Sequence, residues 1–71
     1  MSDTISPEMR LAGDIAAQFR HRPADEAAAA IATHIRQFWD PRMRRHLLAE
    51  LAAGVAVDPL LAAAAARLRE E

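Results

Sequence analysis

The chain has 71 residues, no cysteine and a formal net charge of −1. This composition excludes disulfide cross-links and thiolate metal sites, and it gives no general attraction to nucleic acid or anionic lipid. Although 52% of the residues are apolar, 18 residues are alanine, so the large side chains can build only a thin core, which favours a partner protein.

Four prolines mark the starts of four predicted helices. At three of them a Ser or Asp stands directly before the proline, so its side-chain oxygen can cap the helix while proline occupies a first-turn position that needs no N–H. The start at Pro23 is weaker. No strand pattern appears. The prediction is an all-α fold, a small bundle of four short helices over about residues 7–19, 24–39, 41–53 and 59–69.

These helices form one predicted domain over residues 6–69, joined by tight turns at proline and glycine, with frayed tails at residues 1–5 and 70–71. Gly54 can end the third helix in a left-handed conformation, before a short apolar link over residues 55–57. Helical spacing predicts the core stripes. In chain order they are Met9, Ala12, Ile15, Ala16 and Phe19; Ala24, Ala27, Ala28, Ile31, Ile35 and Phe38; Met43, Leu47 and Leu51; and Leu61, Ala64, Ala65 and Leu68.

The sequence predicts no catalytic, metal or cofactor site. The hydroxyl residues lack an activating base, and the two glycines stand apart rather than in a phosphate-binding loop. His34 and His46 fall on different helices without a carboxylate at metal-ligand spacing, so we expect solvated or hydrogen-bonded histidines. No segment has the length of a membrane span or the character of a signal peptide, so we expect a cytoplasmic protein that contacts no membrane.

Recognition residues are concentrated at the predicted junction of the second and third helices. Phe38 belongs to the core stripe, whereas Trp39 lies at the stripe edge and either covers the end of the core or anchors a partner. Asp40 either caps the third helix or forms a salt bridge with a partner. Arg44 interrupts an apolar arc, where it snorkels to solvent, pairs internally with an acid such as Asp14, or contacts a partner.

A helix-turn-helix DNA-binding protein is a remote alternative. The third helix follows a tight break and begins with Arg42, Arg44 and Arg45, as a recognition helix could. The negative net charge opposes this interpretation, as does the lack of Asn, Lys or Gln beside these arginines for contacts to base edges. We therefore expect no nucleic-acid partner.

One longer pattern resembles a known family. The run Asp-Glu-Ala-Ala-Ala-Ala-Ile-Ala over residues 25–32 is followed by His34-Ile35-Arg36 and by the block Phe38-Trp39-Asp40-Pro41-Arg42-Met43-Arg44. Together with Leu47, Leu48, Gly54, Pro59-Leu60 and the Ala-rich last helix, this pattern resembles the delta subunit of the soluble, molybdenum-containing, NAD-dependent formate dehydrogenases.

The resemblance implies a non-catalytic accessory subunit that docks on the alpha subunit and supports assembly or stability of the active holoenzyme. In such a complex the alpha subunit carries bis-molybdopterin guanine dinucleotide and iron-sulfur clusters, and the other subunits carry FMN and further clusters, whereas the delta chain holds none. A transient maturation factor for cofactor insertion is the alternative. The partner-binding residues that the resemblance implies are His34, Arg36, Phe38, Trp39, Asp40, Pro41, Arg42, Met43 and Arg44.

Overall fold

The computed structural model describes residues 6–54 and 58–70. It contains helices α1 (Pro7–Phe19), α2 (Ala24–Phe38), α3 (Pro41–Ala52) and α4 (Pro59–Arg69), and no strand occurs in these two segments. The all-α bundle is therefore confirmed, with α2 and α3 each ending one residue earlier than predicted. The predicted tail at residues 1–5, the link at 55–57 and Glu71 lie outside the described residues.

The helix ends follow the capping chemistry that the sequence predicts. At Ser6, Asp40 and Asp58, a side-chain oxygen accepts a backbone N–H from the first turn of the next helix, at 2.9 to 3.1 Å. No side-chain cap precedes α2, which begins after Pro23. Beyond α3, Gly54 has φ +83°, a left-handed conformation that glycine adopts without the Cβ penalty of other residues.

The core contains residues of all four helices together with Trp39, and many of its side chains are alanines. Helix α2 packs most extensively against α4, whereas α2 and α3 make little contact with each other. The largest fully buried side chains are Ile31, Ile35 and Leu47. Around them, alanines with 2% exposure or less let the helices approach closely; these are Ala12, Ala16, Ala27, Ala28, Ala32, Ala64 and Ala65.

The predicted core stripes of α1 and α4 are confirmed, but the stripe of α2 is wrong at both ends. Ala24 is exposed, and Phe38 is 72% exposed, whereas Trp39 is only 8% exposed and belongs to the core cluster. Trp39 follows the helix with an extended backbone, at φ −100° and ψ 142°, so helical periodicity does not give the direction of its side chain. The indole covers the end of the core, a place that the periodicity assigns to Phe38.

Candidate functional site

The nine predicted partner-binding residues divide into a structural set and a surface set. Trp39 is buried, the carboxylate of Asp40 caps α3, and Pro41 is the first residue of that helix. Met43 is half-buried and packs against the core cluster. The exposed or half-buried remainder can form a surface, and it consists of His34, Arg36, Phe38, Arg42 and Arg44.

His34 and Phe38 form a ring-stacked pair at the C-terminal end of α2, which we call the aromatic pair. Their spacing of four residues places them one turn apart on the same side of the helix. The ring centroids are 4.8 Å apart and the planes are tilted by 43°. Within the described part of the chain, Phe38 and Leu11 are the exposed large apolar side chains, with 72% and 46% exposure. Phe38 thus presents most of an aromatic ring to solvent.

An open groove of about 430 Å³ lies beside the aromatic pair, between the end of α1 and the outer face of α2. Alanine and threonine side chains form much of its wall, so the α2 backbone can be approached closely. Because His34 lines the groove and also stacks on Phe38, the groove and the aromatic pair make one continuous surface. The residues that line the groove are Phe19, Ala29, Ala30, Thr33, His34 and Gln37.

Three arginines begin α3 next to this surface, and we call Arg42, Arg44 and Arg45 the arginine cluster. Arg42 and Arg45 are exposed and Arg44 is half-buried. Over residues 6–54 and 58–70, none of their side chains forms an ion pair, so the internal pair of Arg44 with Asp14 is not formed there. Arg36 differs, because it is exposed but engaged in an interaction of its own.

The implied partner-binding set does not include Arg45, nor does it include the groove. The sequence could have predicted that Arg45 lies beside Arg42, since residues three apart share a helix face. The groove carried none, because it arises between two helices whose relative placement cannot be obtained from the periodicity of either.

The packing of α2 and α3 does not favour the DNA-binding alternative. In a helix-turn-helix unit the first helix supports the recognition helix directly across a short turn. Here the two helices on either side of the Asp40 turn make little contact with each other, and both pack mainly on α1 and α4. The helix that begins with arginines is therefore not held in the manner of a recognition helix.

Away from this surface, ionisable side chains connect the helices internally. Nδ1 of His46 on α3 lies 3.1 Å from Oε1 of Glu8 on α1, and its Nε2 lies 3.9 Å from Oε2 of Glu50. The Ser6 hydroxyl donates a hydrogen bond to Glu50. Oε1 of Glu8 is buried and accepts no hydrogen bond within the described residues, and the imidazole of His46 lies beside it. These contacts fasten the start of α1 to α3.

A second ion pair joins the end of α1 to the start of α4. The Arg20 guanidinium donates a hydrogen bond to the Asp58 carboxylate, which also caps α4. The bond from Arg20 lowers the pKa of Asp58 below its ordinary value, partial burial opposes this, and the backbone N–H of Leu60 adds to the lowering. The pair therefore stabilises the fold when Asp58 is ionised.

No group of three or more His, Cys, Asp or Glu residues could hold a metal ion within the described segments. No helix in those segments is long and apolar enough to cross a membrane.

Comparison with known families gives a match over most of the chain. The model of the family described as the NADH-dependent formate dehydrogenase delta subunit, FdsD, matches residues 9–65. This range contains all of α2 and α3, and with them the aromatic pair, the groove and the arginine cluster. No curated protein and no solved structure matches the chain significantly.

Proposed function

Because the chain belongs to the family of NADH-dependent formate dehydrogenase delta subunits, we propose that it is a non-catalytic accessory subunit of such a complex. It docks on the molybdenum-containing alpha subunit and supports assembly or stability of the active holoenzyme. The exposed aromatic pair next to the open groove is the observation that supports docking most directly. Single exposed apolar residues are common on monomers, but a stacked ring beside a groove offers both an anchor and a recess.

The cofactors of the complex belong, in this proposal, to the other subunits. The chain has no cysteine and so has no thiolate for an iron-sulfur cluster. Bis-molybdopterin guanine dinucleotide, the clusters and FMN are held elsewhere, and the delta chain acts on the amount of loaded enzyme. The alpha subunit is the proposed site because it is the subunit that must receive and retain the molybdenum cofactor.

Purification of the complex through a tag on the alpha subunit tests this proposal. A permanent subunit is recovered in equal amount with the mature complex. A transient maturation factor, the alternative role, is recovered with the cofactor-free alpha subunit and is depleted from the loaded complex. Absence of the chain from both preparations would exclude both roles.

A pair of truncations tests the docking surface in the same preparation. Phe38→Ala is expected to reduce the recovered chain, because it removes the exposed ring of the aromatic pair. Leu11→Ala is the matched control, since Leu11 is also a large exposed apolar residue but lies on α1. Equal recovery of both variants would place the docking surface away from Phe38.

Deletion of the chain tests the assembly role. Total formate-dependent reduction of NAD should fall with the amount of molybdenum-loaded complex, whereas activity per bound molybdenum should be unchanged. A large fall in activity per molybdenum, with an intact and fully loaded complex, would instead assign the chain a role in the active site or in electron transfer.

A further inference from the structure

Three arginines are concentrated in the first turns of α3. The arginine cluster contributes three cations within four consecutive residues of α3, and the first turn of that helix contains no acidic residue. The exposed acids Asp25 and Glu26 lie instead in the first turn of α2. That helix has 15 residues and is therefore about 22 Å long, so the acids are far from its C-terminal end. The net charge of −1 for the whole chain conceals this local concentration of arginine.

Among the described residues, no carboxylate forms an ion pair with the arginine cluster. The carboxylate nearest in sequence, Asp40, accepts the Met43 N–H as the cap of α3. Glu50 on the same helix contacts Ser6 and His46. Over the described segments, no ion pair reaches Arg42, Arg44 or Arg45. The positive end of the helix dipole also opposes cations in the first turn of α3, so the charge of Arg42 is not placed there to stabilise the helix.

The arginine cluster adjoins the aromatic pair. Phe38 and Arg42 are four residues apart, so their Cα atoms cannot be more than about 14 Å from each other. An exposed aromatic ring with arginines a few residues away has the composition of the central residues of protein interfaces. The two features can therefore contact one partner surface at the same time.

From this arrangement we infer that the docking surface, formed by Phe38 and the arginine cluster, binds an acidic protein surface. On the partner, an apolar recess receives Phe38, and carboxylates at the edge of the recess face Arg42, Arg44 and Arg45. This inference rests on the proposed function and adds the chemistry of the partner to it. A nucleic-acid phosphate backbone is disfavoured, because the chain has a net charge of −1 and α2 and α3 do not pack as a helix-turn-helix unit. Carboxylates can instead be placed against the arginines alone.

Charge reversal at Arg42 tests the inference without harming the fold. Arg42→Glu places a negative charge in the first turn of α3, where it interacts favourably with the helix dipole, so the helicity of the full chain should be retained or raised. Arg10→Glu is the matched control, because Arg10 is an exposed arginine near the start of α1, which also begins with proline. The Arg42→Glu/Arg45→Glu double variant enlarges the effect.

All variants are co-expressed with the complete complex, and the ratio of this chain to a tagged alpha subunit is measured at rising salt. We expect the double variant to lower this ratio about tenfold, Arg42→Glu to lower it less, and Arg10→Glu to leave it near the wild-type value. Retention of the wild-type chain should weaken as salt rises, and that dependence should be flatter for the double variant.

Three outcomes would overturn the inference. If the double variant is recovered like the wild type and with the same salt dependence, the arginines face no acids. If Phe38→Ala still reduces recovery in that case, Phe38 remains part of the docking surface. A loss of helicity in the double variant that accounts for its lower recovery would make the arginines structural. Retention of the wild-type chain on duplex DNA at physiological salt, lost in the double variant, would replace the protein partner with nucleic acid. Complete absence of the wild-type chain from the complex would contradict the proposed function itself.

Discussion

Truncation of Trp39 should mainly reduce the stability of the fold, whereas truncation of its neighbour Phe38 should mainly reduce docking. Trp39 is 8% exposed and covers the end of the core, so Trp39→Ala should cost about 3 to 5 kcal/mol of unfolding free energy. A domain of 71 residues has roughly 4 to 11 kcal/mol in total, so this change removes much of the stability. Trp39→Phe keeps most of the buried volume and should cost less.

Phe38→Ala should cost below about 1 kcal/mol. Full burial of a phenylalanine side chain contributes about 1.5 to 3 kcal/mol, and with 72% exposure Phe38 buries only a minor part of that surface. Its contact with His34 adds a few tenths of a kcal/mol at a helical spacing of four residues. The fold should survive this truncation while association with the complex decreases.

Urea unfolding followed by far-UV circular dichroism measures both effects, because helix content can be followed without the tryptophan. The expected order of midpoints is wild type, then Phe38→Ala, then Trp39→Phe, then Trp39→Ala. A loss from Phe38→Ala as large as that from Trp39→Ala would contradict the burial described above. Phe38 would then be a core residue, as helical periodicity predicts, and it could not anchor a partner.

Five further substitutions at four positions test the local chemistry, each by urea unfolding. Asp58→Asn keeps a capping oxygen but removes the ion pair with Arg20. Because the pKa of Asp58 is lowered in the folded chain, the stability advantage of the wild type over this variant should be lost as pH falls from about 5 through that pKa. A stability difference that is unchanged at low pH would contradict the contribution of the ion pair. Gly54→Ala should destabilise the fold by about 1 kcal/mol, because Gly54 has φ +83°. Gly13→Ala should stabilise the fold by up to about 1 kcal/mol, because Gly13 lies within α1 and has open space for a Cβ atom. Stability changes of the same sign at both glycines would refute this difference between them. Asp40→Ala should cost about 1 kcal/mol through loss of the α3 cap, and Asp40→Ser should recover most of it.

Local chemistry made most of the fold predictable. Three caps and the left-handed glycine depend on neighbouring residues only, and each is found where the sequence places it. The stripes of α1 and α4 were predictable because both helices keep a regular period along their length. The error at Phe38 arose where the period stops, since Trp39 leaves the helix and its backbone direction is set by the turn.

The candidate site was predictable only as a block of sequence. Proximity of Phe38 to Arg42 follows from chain connectivity, but the division between buried Trp39 and exposed Phe38 depends on how four helices close around one end of the core. The groove between α1 and α2 also depends on helix placement. The resemblance to a family predicts the location of the surface, and burial was needed to say which side chains a partner can reach.

The alanine-lined contact of α2 with α4 limits how this protein can change. Ala28 and Ala32 on α2 and Ala64 and Ala65 on α4 are at most 2% exposed, so a larger residue at any of them must displace its neighbours, at a typical cost of about 1 to 3 kcal/mol. In most cores, one residue can become larger if a neighbouring residue becomes smaller. Alanine side chains have almost no volume to lose, so few such compensating pairs of substitutions are possible here. Sequence variation that the fold tolerates is therefore directed to the outer surface, where it changes partner recognition before it changes the architecture.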